Sequence, residues 1–174
     1  MNFSRKTAAA AASTIGFLAI VAGSASAGTN TVTFPVTATV NSNCSISALG
    51  LSFGNYDPLS ANVSTALNAS TTVTVACVKG VAPTVGLNTG LNSANASGTT
   101  RAMAGSSSGT YLSYELYKDS AHTTAWGNSG SGLYTMATFA NTTPIGVTVY
   151  GQIPAGQMAT VGTYNDTITA TVNF

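Results

Sequence analysis

Two cysteines, one histidine and four carboxylates are the residues of this chain whose types could carry chemistry. Cys44 and Cys77 stand in a chain with an export-type leader, and two cysteines in an exported chain pair as one disulfide. Closing a loop of this length stabilises the fold by about 3–4 kcal/mol in the chain-entropy account. A metal centre does not follow, because two distant cysteines and a single histidine do not make a tetrahedral ligand set. His122 with a serine and Asp166 resembles the parts of a nucleophile–base–orienter triad. However, no G-x-S-x-G elbow, H-E-x-x-H helix or phosphate-cradling glycine motif accompanies them. A lone histidine in a Ser/Thr/Gly-rich loop reads as a surface residue. Asp57, Glu115, Asp119 and Asp166 are too scattered to nominate an acid/base pair. The chain is therefore expected not to be an enzyme and to use no metal, cofactor or small-molecule substrate.

Other polar features carry less. Trp126 with Tyr111, Tyr114, Tyr117 and Tyr134 could line a sugar-binding or adhesive surface, but core packing and contacts between subunits are the expected roles. The Asn-x-Ser/Thr sequences at Asn62, Asn68, Asn95, Asn141 and Asn165 arise readily by chance in so Asn/Ser/Thr-rich a chain. Charge excludes one class of partner. Beyond the leader the cations are Lys79, Arg101 and Lys118, which cannot form the basic stripe that nucleic acid requires. So few charges suit extracellular β-proteins that pack side by side, and they limit the solubility of an isolated subunit.

The elements that position these residues begin after residue 27. Arg5 and Lys6, the apolar run Ala8 to Val21 and the small-residue motif Ala25-Ser26-Ala27 predict a cleaved signal peptide over 1–27. The run is shorter than the about 20 residues a spanning helix needs. A segment over 28–43 and a single domain over 44–174 are expected to follow.

Within that first segment, Thr31 to Val40 (TVTFPVTATV) alternates strictly, with Val32, Phe34, Val36, Ala38 and Val40 on one side. Such alternation describes a strand with one buried face. Cys44-Ser45-Ile46 begins the domain's own first strand. Leu51 and Phe53 share a buried face before a turn at Asn55 to Pro58. Ser70 to Val78 is a firm strand with Val73, Val75 and Cys77 inward, and Pro83 to Leu87 a short one. Asn88 to Gly109 reads as loop, with a small hairpin around Arg101-Ala102-Met103. Leu112, Tyr114 and Leu116 alternate against Ser113, Glu115 and Tyr117. Val147, Val149 and Ile153 face inward from Pro144 to Ile153. Gly162 to Phe174 forms the last strand through Ile168, Ala170, Val172 and Phe174. Short strands with Gly/Pro turns and no long helical period predict an all-β sandwich.

An immunoglobulin-type sandwich has about seven strands. Here the sequence ends on an apolar strand with nothing after it to cover that edge, while a spare alternating strand lies at 31–40. An exposed apolar edge is an association site. Sequence and topology together predict a strand donated from one subunit to the next, a form of β-augmentation.

Several pieces, in order, resemble the spore coat protein U domain family, which includes subunits of archaic chaperone–usher pili. They are Cys44-Ser45-Ile46, Phe53-Gly54-Asn55-Tyr56-Asp57-Pro58, Val73-Thr74-Val75-Ala76-Cys77, Lys79-Gly80, Arg101-Ala102-Met103, Leu112 to Tyr117, Trp126-Gly127, Val149 to Gln157 and Gly162 to Thr167. The resemblance covers essentially all of 28–174. It implies an incomplete immunoglobulin-like fold lacking its seventh strand. A periplasmic chaperone would lend a strand, and an outer-membrane usher would exchange it for the N-terminal strand of another copy or a related pilin. The donor strand would be Val32, Phe34, Val36, Ala38 and Val40. Ile168, Ala170, Val172 and Phe174 on the last strand would line the acceptor groove and meet the chaperone. Export through the periplasm to the cell surface, in a fibre supporting adhesion and biofilm formation, is what the resemblance implies.

Pro35 removes one ladder N–H, which places the start or a bend of the inserted segment near Val36. Each buried donor side chain contributes up to roughly 1–3 kcal/mol before ordering costs, less for Ala38. The alternative is a spore-coat or cell-surface binding module that fills its own groove with 31–40 and does not polymerise.

Overall fold

The computed structural model describes residues 26–174, so the expected leader falls almost wholly outside the described residues. The chain divides into two units at Ala38/Thr39. In the first, residues 26–38 are exposed and carry no strand ladder. Among the described residues, the strands and the core lie in the second, Thr39–Phe174.

β2 (Leu67–Cys77) shows how alternation becomes a layer. Val73, Val75 and Cys77 are buried while Thr72, Thr74 and Ala76 are half-exposed. β2 pairs antiparallel on one side with β1 (Cys44–Ala48) and on the other with β7 (Ile145–Ile153), which buries Val147, Val149 and Ile153. With β4 (Arg101–Gly105), β5 (Tyr111–Tyr117) and β8 (Tyr164–Asn165), they form a six-stranded sheet in the order β1-β2-β7-β5-β4-β8. Facing it is a three-stranded sheet, β6-β3-β9, made of β6 (Tyr134–Thr135), β3 (Thr84–Leu87) and β9 (Ala170–Asn173). Side chains from both sheets and the connecting loops fill the space between, with Trp126 and Phe139 among the most buried. The Trp126 indole stacks on Tyr134 and donates Nε1–H to the Val85 carbonyl at 2.9 Å, so its polar edge is satisfied in the core.

Cys44 and Cys77 are bonded, and they are direct cross-strand partners in the β1–β2 ladder. The bridge therefore ties neighbouring strands of one sheet.

Three sequence expectations are corrected. Ser113 and Glu115 do not face solvent; β5 is buried on both sides. Gln157 covers Ser113, its Oε1 accepting the Ser113 N–H at 2.8 Å and its Nε2 donating to the Ser113 carbonyl at 2.8 Å, as a strand neighbour would. Glu115 meets Arg101 in a buried ion pair. Arg101 also donates to the carbonyls of Asn88, Leu87 and Trp126, and Glu115 accepts from Thr100 and the Leu116 N–H. One guanidinium thus joins the two sheets, with both charges satisfied.

Gly162 to Phe174 is not one strand. β8 pairs with β4, β9 pairs with β3, and Asp166 to Thr169 crosses between the sheets. Asn88 holds the far side of the crossing against β3 through both its side chain and its backbone: Oδ1 accepts the Thr169 N–H at 2.9 Å, and the Asn88 N–H donates to the Thr169 carbonyl at 3.1 Å. Beyond the crossing, Phe174 is 57% exposed.

His122 is half-buried, not a free surface residue. Its backbone takes φ 55°, and its ring stands edge-on between Tyr117 and Tyr150. The imagined triad does not assemble around it: Asp166 holds Tyr114, Leu91 and Asn92 instead.

Candidate functional site: an open cleft between the sheet edges

β1 and β9 end their respective sheets. Where β1 stops, the chain runs on from Leu49 to Leu59 as one wall of a cleft, and residues 156–170 form the other. The floor is apolar and comes from the six-stranded sheet: Val73, Met103, Leu112, Tyr114, Val149 and Ile153. An inner cavity of about 370 Å³ lies between Ala48–Leu51 and Asn165–Ala170. It opens into an outer one of about 1420 Å³ between Leu51–Leu59 and the 156–165 segment. Leu51, Phe53, Met103 and Tyr164 line both.

The walls are unusual in their backbones. Among the described residues, no main-chain N–H or C=O from Leu51 to Tyr56 makes a hydrogen bond, and none from Asp166 to Ile168 does. Backbone polar groups in folded proteins are nearly always paired. Two facing unpaired rails over an apolar floor are the geometry of a missing strand. The rim is apolar as well: Leu59, Met158 and Val161 are more than nine-tenths exposed, at 91%, 102% and 99%.

Specific contacts hold the walls apart. Tyr56 Oη donates to the Pro154 carbonyl at 3.0 Å and accepts the Gln157 N–H at 2.9 Å, fixing the far end of the first wall to the 154–157 turn. Leu51 and Phe53 lie on the bare backbone of Gly151, where an added Cβ would sit 2.7 Å and 2.8 Å from their side chains. On the second wall, Asp166 Oδ2 accepts the Tyr114 hydroxyl at 2.8 Å and Oδ1 accepts the Leu91 N–H at 2.8 Å. Gly90, at φ +77°, lets the 88–92 loop close over that carboxylate. Burial first, then the Asp166 hydrogen bond and charge, push the Tyr114 phenol far above its usual range, so it remains a donor. Among the described residues, Asp166 is the one charged side chain lining either cavity, and it is already engaged. The cleft is suited to a neutral occupant.

Of the expected groove residues, Ile168 and Ala170 line the inner cavity. Val172 is half-buried against the core opposite Val85, and Phe174 lies outside both cavities. The expected donor residues Val32, Phe34, Val36, Ala38 and Val40 are all exposed. Sequence reasoning did not identify Met103, Tyr114, Tyr164 and Asp166 as groove residues. The alternation in β5 marked Tyr114 as inward, but nothing local marks the crossing at Asp166.

The Spore Coat Protein U domain profile matches residues 30–171. Protein U of Myxococcus xanthus is 38% identical over 179 residues, covering 97% of this chain and 98% of that protein. Among solved structures, the chain is similar to one from the CsuC-CsuE chaperone–tip adhesion subunit pre-assembly complex of the archaic chaperone-usher Csu pili of Acinetobacter baumannii. That match has a TM-score of 0.56 and 26% identity; it covers 78% of this chain, which spans 41% of the length of the other. An immunoglobulin-like sandwich open between its edges, matched over nearly its whole length, establishes that the chain belongs to the spore coat protein U domain family.

Proposed function

We propose that this chain is a non-enzymatic structural subunit of a secreted surface fibre of the archaic chaperone–usher type. It polymerises by inserting residues 31–40 of one copy, or of a related pilin, into the cleft of the next. One observation carries this reading: a largely apolar cleft with two unpaired backbone walls belongs to a chain that also bears an exposed, neutral, alternating segment. The inserted backbone would pair with Leu51–Tyr56 and with the second wall, while Val32, Phe34, Val36, Ala38 and Val40 cover the floor. Leaving would require opening the sheet, which makes the joint kinetically stable. The chain travels through the periplasm, where a chaperone lends the strand and an outer-membrane usher exchanges it. At the cell surface the fibre supports adhesion and biofilm formation. The similarity to a chaperone–subunit complex supports these partners.

The near full-length match to Protein U favours a second reading, a coat-associated module that completes its own fold with 31–40. Multimers of the unaltered chain separate the two, and Phe34→Asp tests the joint. A charge on the donor face blocks multimers in the fibre reading and leaves chaperone binding intact. Normal fibres from this variant would overturn insertion of 31–40 as the joint, and an unaltered chain that stays monomeric would favour the second reading.

A further inference from the structure

Cys44 is the first residue of β1, only four residues after Val40. Its partner Cys77 closes a loop of sequence separation 33, and that loop contains β1 and the whole first wall of the cleft, Leu49 to Leu59. This placement bears on where tension goes. In a fibre joined through 31–40, a subunit is pulled at Cys44 by its own donor segment, and in the opposite direction at its cleft walls by the donor it has accepted. The first wall begins five residues after Cys44 in sequence, at Leu49. Without the bridge, the two pulls would meet across β1, an edge strand of five residues held on one side only. Peeling β1 would draw Leu51 and Phe53 off Gly151 and open the wall that grips the neighbour.

We propose that the Cys44–Cys77 disulfide is a load shunt: it transfers tension from the donor segment into β2 and bypasses β1 and the acceptor wall. β2 is suited to receive it, since it is an interior strand paired with β7 from Leu67↔Ile153 to Val75↔Ile145. Force delivered at Cys77 acts on that long ladder and on the core beneath Val73 and Val75. The disulfide contributes little to the unloaded grip on the donor, because neither cysteine lines the cleft. This inference rests on the fibre reading.

The test uses wild-type fibres, reduced after assembly with a phosphine reductant, with thiol labelling to confirm loss of the bond. Unloaded, reduced and oxidised multimers persist equally on unheated gels. Held at constant force in optical or magnetic tweezers, reduced fibres break between subunits with a lifetime shorter on the order of tenfold or more. Equal lifetimes under load would overturn the shunt, and so would reduced fibres that fall apart unloaded, since the bond would then be maintaining the fold. A Cys44→Ser/Cys77→Ser double variant, where it assembles, shows the same loss under load; where it does not, reduction after assembly decides. Failure of the wild-type chain to form multimers at all would instead overturn the fibre reading, and the shunt with it.

Discussion

Tyr114 donates a hydrogen bond from its hydroxyl to Asp166 Oδ2 at 2.8 Å, joining the middle of β5 to the point where the chain leaves β8 and crosses to the other sheet. The same carboxylate holds the Leu91 N–H. Asp166→Ala leaves the Tyr114 hydroxyl and the loop amide without partners, and is expected to destabilise the domain by about 2–3 kcal/mol. Tyr114→Phe removes one bond and leaves the carboxylate its other partners, so about 1–2 kcal/mol is expected. Urea denaturation checks both. The raised phenol also fixes a pH dependence. In the unfolded chain the tyrosine ionises near its ordinary value, while in the folded protein it keeps its proton. The stability it contributes is whole below about pH 10 and falls as pH rises beyond that. Tyr114→Phe flattens this alkaline limb.

Arg101 and Glu115 form the polar pin between the sheets. Arg101→Ala leaves a buried, unpaired carboxylate and is expected to cost about 3–5 kcal/mol. Replacing both, as Arg101→Met with Glu115→Leu, restores most of that loss, because two desolvated charges give way to apolar packing. A double-mutant cycle in thermal unfolding measures the coupling. Independent, additive losses would contradict the pin.

Gly151→Val places side-chain atoms where Leu51 and Phe53 now lie. The first wall must shift, at about 1–3 kcal/mol of overpacking strain. Its test is a split result: near-UV circular dichroism of the core around Trp126 is preserved, while the yield of multimers drops sharply. Unchanged assembly would show that the wall is not part of the grip.

Asp119 accepts the Thr123 N–H and hydroxyl and the Thr124 N–H. These bonds, the Thr123 amide foremost, hold its carboxyl down at about 2, from an ordinary 3.8. A lowered carboxylate stabilises the fold above its unfolded value and loses that effect as pH falls through the folded one. The 119–124 loop, which carries His122 in its left-handed conformation, is therefore expected to loosen between about pH 4 and pH 2. NMR amide shifts of Thr123 and Thr124 follow this, and Asp119→Asn abolishes the transition.

Period-two patterning made most strands legible. Val73, Val75 and Cys77 in β2, and Val147, Val149 and Ile153 in β7, lie inward as alternation requires. The disulfide followed from compartment and count, and its cross-strand placement agrees with both cysteines beginning or ending inward runs. The cleft was legible as an absence, a strand short of a sandwich, but of its walls only Ile168 and Ala170 were. Nothing in Tyr164-Asn165-Asp166-Thr167 announces that the chain must change sheets, because the partners that hold the crossing, Asn88, Leu91 and Tyr114, lie far away in sequence. Glu115 looked like an outward residue for the same reason: its partner Arg101 reaches it only after the hairpin forms. Alternation reports which side of a strand a residue occupies. It does not report what covers that side.

The central claim is that residues 31–40 of one copy fill the cleft of another. The most direct measurement is electrophoresis of periplasmic material in SDS, unheated and then boiled, for the mature chain and for a form lacking 28–40. A ladder of multimers that collapses only on boiling, and is missing from the truncated form, is the predicted result. A single monomer band for the mature chain, with a truncated form that is equally stable alone, would contradict it.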